Sequence, residues 1–211
     1  MMKLEVKGID VSRYQKEIDW QKVKDSGVQF AILRAGYGRE LNQVDPFFEK
    51  NYAACKAVGL PVGAYWFSYA TDPYGALKEA HTCLKAIQGK SFEYPVWFDQ
   101  EYEIKGIDAL TDQERTDLVR VFCAELEEHG YYTGLYCSRD WLEHWVLPDQ
   151  LKALDIWVAA YGSTPGNVPM AYGIWQYSDK GEVPGIPEPV DLDIAYKDYP
   201  AIIQRARLNG F

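Results

Sequence analysis

The chain has 211 residues, 47% of them hydrophobic and 25% charged, which is enough for one well-buried core and too short for two large domains, so residues 1–211 read as a single domain. The formal net charge is −9 and the sequence pI about 4.9, and no Lys/Arg cluster resembles a nucleic-acid footprint or a polybasic membrane patch, so DNA, RNA and anionic lipid are not expected partners. No apolar run approaches the roughly 20 residues that span a bilayer, and the start, Met1-Met2-Lys3-Leu4-Glu5-Val6, lacks the apolar stretch of a signal peptide, so neither membrane insertion nor a leader is expected.

Taken in chain order, the first strand reads from Lys7 to Val11 and is followed by a short helix from Asp19 to Ser26. The second strand, Phe30 to Ala35, leads to Asp45-Pro46, read as a cap with proline at the first helical position; Phe48, Tyr52 and Cys55 then recur at i, i+4 and i+7 until Gly59 stops the helix. After a third strand, Val62 to Tyr69, Asp72-Pro73 repeats the device ahead of a stripe of Leu77, Ala80, Leu84 and Ile87. The fourth strand is Pro95 to Asp99. Thr111-Asp112-Gln113-Glu114 is a capping box opening a helix with Leu118, Phe122 and Leu126 on one face and Gly130 beyond it. A fifth strand, Thr133 to Cys137, precedes a short helix from Ser138 to Val146. Strands then read at Ile156 to Ala160, Gly173 to Tyr177 and Val190 to Ile194, joined by connections too rich in Gly and Pro for helices, with Asn209-Gly210-Phe211 as a loose tail.

Most of these runs are continuously apolar, as strands buried on both faces are. Five strand–helix units followed by three further strands point to an α/β fold, a modified TIM-like barrel of mainly parallel strands, and such a barrel carries its chemistry at the C-terminal strand ends. A doubly wound open sheet is the rival, but it needs crossover helices between the late strands and a Gly-rich phosphate turn that Gly8-Ile9-Asp10-Val11-Ser12 does not supply. Gly36-Tyr37-Gly38 is too short to be one.

Acidic residues recur at those ends: Asp10 on strand one, Asp99 followed by Glu101 on strand four, and Asp191 with Asp193 on strand eight. Residues i and i+2 of a strand face the same way, so Asp99 and Glu101 share one site, and carboxyls crowded in a partly apolar pocket leave one protonated near neutrality while another stays ionised. Cleavage of a glycosidic bond needs that division of labour. Alone, Asp10 or the Asp191/Asp193 pair would serve equally well as turn caps.

Aromatics make up 15% of the chain (7 Trp, 16 Tyr, 8 Phe), more than core packing ordinarily uses, and several fall at the same strand ends. Tyr37, Tyr65, Phe67, Tyr136 and Trp175, with the polar Arg34 and Gln176, read as a surface on which sugar rings stack and hydroxyl or acetamido groups find partners. Arg34 has an alternative reading, as an ion-pair partner that holds carboxylates in place. His81, His129 and His144 lie in or beside helical patterns away from these ends, so a Ser/His/Asp or Cys/His mechanism has no support. Cys55, Cys83, Cys123 and Cys137 show no C-x-x-C spacing, which argues against zinc; the even count permits disulfides, but each falls in an apolar helical or strand pattern, the setting of buried free thiols.

The runs Gly8-Ile9-Asp10-Val11-Ser12 with Gln15 and Ile18-Asp19-Trp20, Phe30-Ala31-Ile32-Leu33-Arg34-Ala35-Gly36-Tyr37-Gly38, Gly59-Leu60-Pro61-Val62-Gly63-Ala64-Tyr65-Trp66-Phe67-Ser68, Asp99-x-Glu101, and Trp175-Gln176-Tyr177-Ser178 with Val190-Asp191-Leu192-Asp193 resemble glycoside hydrolase family 25, the lysozymes of the N-acetylmuramidase type. The resemblance runs through nearly the whole chain in order. It implies a barrel of five β/α units and three further strands forming one catalytic domain that cleaves the β-1,4 bond between N-acetylmuramic acid and N-acetylglucosamine in bacterial peptidoglycan, as an endolysin or autolysin acting on the cell wall; no metal or other cofactor is expected, and because nothing in the sequence advertises a second apolar face, neither is an oligomer. It implies Glu101 as general acid, Asp99 as its partner, and Asp10 and Asp191 as flanking carboxylates. The family usually reads Asp-x-Asn where this chain has Asp191-Leu192-Asp193, so an extra carboxyl stands near the site, and Asp193 joins the candidate substrate contacts. Cell-wall-binding repeats often follow the family's catalytic domain and none is read here. Two competing expectations are a catalytically silent peptidoglycan-binding module and an all-oxygen Mg²⁺ site built from Asp10, Asp99, Glu101 and Asp191.

Overall fold

The structure, a computed structural model, describes residues 4–211; Met1 to Lys3, on which part of the leader reading rests, lie outside the described residues. All eight expected strands form, and they close into a barrel in chain order: β1 (Val6–Val11), β2 (Phe30–Tyr37), β3 (Val62–Phe67), β4 (Val96–Asp99), β5 (Thr133–Ser138), β6 (Asp155–Ala159), β7 (Ile174–Gly181) and β8 (Val190–Ala195). Strands β1 to β7 run parallel, each paired with the next. Five helices follow the first five strands: α1 (Trp20–Asp25), α2 (Phe48–Val58), α3 (Pro73–Ile87), α4 (Asp112–Glu128) and α5 (Arg139–His144). No helix interrupts the connections after β6 and β7.

Strand β8 departs from the parallel reading. It runs antiparallel to both β7 and β1, because the segment leaving β7 turns back as a hairpin and needs no crossover. Asp191 therefore stands near the beginning of its strand rather than at its end, and it still reaches the mouth, directly opposite Asp10.

Alternation sorts each strand's side chains into two layers. The outward residues, among them Ile9, Leu33, Trp66, Phe98, Leu135 and Val158, pack under the helices, where α4 contributes Leu118, Phe122 and Leu126 as expected. On α3 the buried face is Ala76, Ala80, Cys83 and Ile87 together with Glu79, while Leu77 and Leu84 of the expected stripe are half-buried. All four cysteines are buried and free. The caps at Asp72 and Thr111 form as expected, Asp19 and Ser138 cap α1 and α5, and Gly59 ends α2 in the left-handed conformation at φ 66°. Asp45 is not a cap: its carboxylate accepts from Arg34 Nε at 2.8 Å, Arg13 N at 3.0 Å and Phe47 N at 2.9 Å, and α2 starts at Phe48.

Much of the aromatic excess is spent inside the barrel. Phe30 stacks on Tyr94 at 4.2 Å, Tyr94 meets Tyr199, and Trp97, Trp157, Tyr65 and Tyr136 continue the column toward the mouth. Gly134 makes room for it, since a Cβ there would lie 2.5 Å from the Trp97 ring.

The base of that column is sealed by a sixth helix, α6 (Tyr199–Ala206), absent from the sequence reading, which buries Tyr199 and Ile203. Asp155 fixes it, accepting from Tyr199 Oη at 2.9 Å, Lys197 Nζ at 2.9 Å and Tyr132 Oη at 3.1 Å. The tail is not loose. Asn209 is fully buried, donates Nδ2 to Tyr94 O at 2.9 Å and to Phe92 O at 3.3 Å, and accepts from Tyr132 N at 2.7 Å. Asn209→Ala leaves those backbone groups without partners and is expected to lower unfolding free energy by about 1–3 kcal/mol in a urea titration. A loss under about 0.5 kcal/mol, the range of ordinary surface changes, would mean that the tail does not clamp the barrel.

Candidate active site

The carboxyls at the mouth are brought there by two different devices. On one side, Asp99 is the last residue of β4 and Glu101 lies two positions beyond it, so both point inward from one chain segment. On the other, the antiparallel ladder sets Asp10 of β1 opposite Asp191 of β8, while Asp193 sits one inward step deeper, opposite Gly8 and Gln176. Asp10, Asp99 and Asp193 are buried; Glu101 and Asp191 are half-buried.

Burial acts on each of these groups in the same direction. It raises Asp99 well above the usual carboxylate range, and the neighbouring Glu101, in hydrogen-bonding contact with it, raises it further. Glu101 is pushed up to about 7 by burial and then by Glu103. Asp191 rises to about 6 through burial and Asp179, and Asp10 rises well above its usual range through burial and the charges of Asp191 and Asp193. Near neutrality the Asp99/Glu101 pair therefore holds about one proton as a coupled unit.

Neutral donors and rings hold the cluster. Gln176 is buried with both ends occupied: Nε2 donates to Asp10 Oδ2 at 2.8 Å, and Oε1 accepts from Tyr136 Oη at 2.8 Å and Tyr161 Oη at 3.2 Å. It thus ties Asp10 to the Tyr136 and Tyr161 phenols. Glu101, Tyr102, Tyr136, Ser138 and Tyr161 line a cavity of about 190 Å³ at the mouth. On the opposite rim a register shift in β2 between Arg34 and Gly36 brings Tyr37 level with Phe67, and Tyr69 packs edge-on to both at 5.8 and 5.3 Å. Glu79 of α3 anchors that rim from below, accepting from Ser68 Oγ at 2.7 Å and Tyr69 N at 2.8 Å, while Ser68 N donates to Asp99 O at 2.9 Å.

Tyr37, Tyr65, Phe67 and Tyr136 thus stand at or just beneath the mouth, but three other sequence candidates do not present themselves there. Trp175 points outward, because Ile174 and Gln176 take the inward positions of β7, and its indole donates to Ala160 O at 2.7 Å. Asp193 is wholly enclosed and cannot touch a substrate. Arg34 is hydrogen-bonded to Asp45, its guanidinium lying over the Tyr14 and Tyr37 rings, and its charge also works to lower Asp99 at the mouth. Glu79 and Tyr102 were outside the sequence reading; a lone Glu on an amphipathic helix and a Tyr in a polar loop carry no signal without the fold. Among the described residues, no three His, Cys, Asp or Glu side chains converge as a metal site.

The sequence matches glycosyl hydrolases family 25 over residues 9–186. The chain belongs to that family. It is 33% identical over 195 residues to the uncharacterized protein YegX of Escherichia coli K12, covering 90% of this chain and 69% of that one. It is 31% identical over 189 residues to the autolytic lysozyme of Clostridium acetobutylicum, covering 89% of this chain and 55% of the relative. The fold is shared with a family 25 glycosyl hydrolase from Bacillus anthracis at a TM-score of 0.82 and 24% identity, covering 95% of this chain and 93% of that one. The mouth carboxyls of this family 25 glycosidase can therefore be weighed as groups for glycosidic cleavage.

Raised carboxyl pKa values also have a consequence for stability. The folded chain keeps protons that unfolded carboxyls, with pKa values of about 4, have lost, so this contribution is complete below about pH 4 and fades as pH rises through about 6 and 7, where Asp191 and Glu101 ionise. Glu101→Gln is expected to melt above the parent at pH 8, by about 2–4 °C for each kcal/mol relieved, with the advantage shrinking toward pH 4. Equal melting temperatures at pH 8 would show that the site carries no such strain.

Proposed function

We propose that this glycosidase hydrolyses peptidoglycan as an N-acetylmuramidase, cutting the β-1,4 bond between N-acetylmuramic acid and N-acetylglucosamine at the cell wall, and that it works as a monomer. The observation that carries the reading is the Asp99/Glu101 pair, two buried carboxyls sharing about one proton at the mouth of a barrel rimmed with tyrosine and phenylalanine. Family membership and the lysozyme relatives support the substrate class.

Glu101, the member of the pair that lines the cavity, gives the shared proton to the leaving glycosidic oxygen and becomes a carboxylate. Positive charge grows at the anomeric carbon and is stabilised by the carboxylate of Asp99, ionised while Glu101 carried the proton. The muramic acid acetamido oxygen, oriented by Asp99, attacks the same carbon from the opposite face; water then opens the resulting ring, with Glu101 taking back a proton. Asp10 and Asp191 flank the sugar on the far wall, and Tyr37, Phe67 and Tyr136 cover its apolar faces. This route retains anomeric configuration. A first product of inverted configuration from a defined muropeptide oligomer would exclude it.

Glu101→Gln is expected to keep the fold and lower release of reducing ends from purified walls by about 10² to 10⁴-fold, because an amide cannot deliver the proton. Asp99→Asn should also lose most activity, and both variants should still sediment with peptidoglycan. A folded Glu101→Gln protein that clears walls at nearly the parent rate moves the acid's role to another carboxyl. Activity should decline as pH rises past about 7, where Glu101 ionises. Lysis is expected to survive EDTA; loss of activity that Mg²⁺ restores would favour the all-oxygen metal site instead.

A further inference from the structure

Asp193 has no role in the mechanism above, and its surroundings are unusual for a carboxylate. It is wholly buried; Oδ1 accepts from Trp157 Nε1 at 2.8 Å, and Oδ2 is enclosed with no hydrogen-bond donor among the described residues. Among the described residues the one other side chain in hydrogen-bonding contact with it is another carboxyl, that of Asp10; burial raises Asp193 well above the usual carboxylate range, outweighing the indole and the Asp10 contact, both of which lower it. The strand register explains the meeting: Asp193 lies diagonal to Asp10 across the β1/β8 ladder and opposite Gln176 across the β7/β8 ladder, and Gln176 Nε2 reaches past it to Asp10 Oδ2 at 2.8 Å.

Two buried carboxylates in contact cannot both be ionised, and a single proton between them removes the repulsion and supplies the missing donor together. Among the described residues no cation is paired with either of them. The charged and titratable groups that face the pair are Asp191 on β8, Asp99 on β4, Tyr65 on β3, Tyr136 on β5, Tyr161 just after β6 and Tyr177 on β7, while Arg34 on β2 is engaged by Asp45. Of the two carboxyls, Asp10 has the amide of Gln176 and looks toward the mouth, whereas Asp193 lies deeper with only an indole N–H. The proton belongs on the deeper group.

We propose that Asp193 is a positioning residue that acts as a neutral acid: its carboxyl O–H donates to Asp10, so that Asp10 stays ionised and is aimed at the mouth between two donors, Asp193 and Gln176. Trp157 fixes the acid, and through it the aromatic column inside the barrel sets the orientation of a carboxylate at the site. The proposal rests on the reading of the mouth as the glycosidase site, and it turns a residue the sequence placed among substrate contacts into one that acts through Asp10.

The experiment compares Asp193→Asn, which keeps a donor but cannot ionise, with Asp193→Leu, which keeps the branching at Cγ and removes the donor. The infrared difference spectrum between parent and Asp193→Asn at pH 7 should contain the carbonyl band of a protonated, buried carboxylic acid. Asp193→Leu should lower kcat by about 10 to 100-fold, the scale of one hydrogen bond to a charged group, and Asp193→Asn should recover most of that loss. The acidic limb of the kcat profile should stay in place in Asp193→Asn, because one neutral donor has replaced another. A missing acid band, or an acidic limb moved to lower pH by about one unit in Asp193→Asn, would mean that Asp193 is ionised in the parent and would overturn the proposal. Equal losses in the Asn and Leu variants, with both folded, would overturn the donor role. The infrared readout does not depend on catalysis, so failure of the muramidase reading, seen as full activity in Glu101→Gln, is distinguishable from failure of this one.

Discussion

Charge at the mouth of this barrel is limited by how little water reaches it. Asp10, Asp99 and Asp193 are 5%, 3% and 0% exposed, and each touches or faces another carboxyl. Among the described residues none of them has a cation in a salt bridge, and the charge of Arg34, which works to lower Asp99, does not offset burial, so the cluster is assembled by keeping protons that solvated carboxyls would release. A lattice of retained protons is what a general acid requires at neutral pH, so the feature that works against stability is the one that equips the site.

The aromatic column makes the dryness possible. A barrel of eight strands has an interior just wide enough for side chains to fill it, and here indole and phenol rings from Phe30 at the base to Tyr136 at the top occupy that space. Their polar atoms are not idle: Trp157 Nε1 holds Asp193, Tyr136 Oη holds Gln176, and Tyr199 Oη with Tyr132 Oη hold Asp155 at the opposite end. Helix α6 and Asn209 pack across the base, where Tyr199, Ile203 and Asn209 are buried. A leak at the base would solvate the carboxyls from below and lower the pKa values that the mouth depends on.

The sequence was informative wherever one local rule decided the outcome. Strands buried on both faces announce themselves as apolar runs, and Asp72, Thr111 and Gly59 set helix ends by their own hydrogen bonds or backbone preference. Composition could not tell inside from outside: Trp175 and Gln176 are adjacent in a motif, and only the register of β7 sends one to the outer layer and the other to Asp10. The direction of β8 was hidden for a related reason, since a short apolar run reads the same in either direction. Helix α6 was legible, with Asp198 capping it and Pro200 in its first turn, the device already recognised at Asp72-Pro73. Burial of Asp193 had no sequence signal, because an i, i+2 acidic pair looks the same whether the second carboxyl faces solvent or an indole.

The two sides of the mouth differ in how firmly they are held, and the difference matches the work each would do. Asp10 and Asp193 are inside ladders on both neighbouring strands, and Gln176 and Trp157 fix their oxygens, so neither can turn without breaking several bonds. Glu101 lies two residues beyond the last paired position of β4 and is half-buried. A group that must give up a proton and later recover one needs freedom to follow the leaving oxygen, whereas a carboxylate that only presents charge is most effective when preorganised. Hairpin return of β8 supplies the fixed side and the parallel strand end of β4 supplies the mobile one. An all-parallel barrel, in which every inward residue at the mouth is the last of its strand, would offer eight mobile positions and no clamped pair.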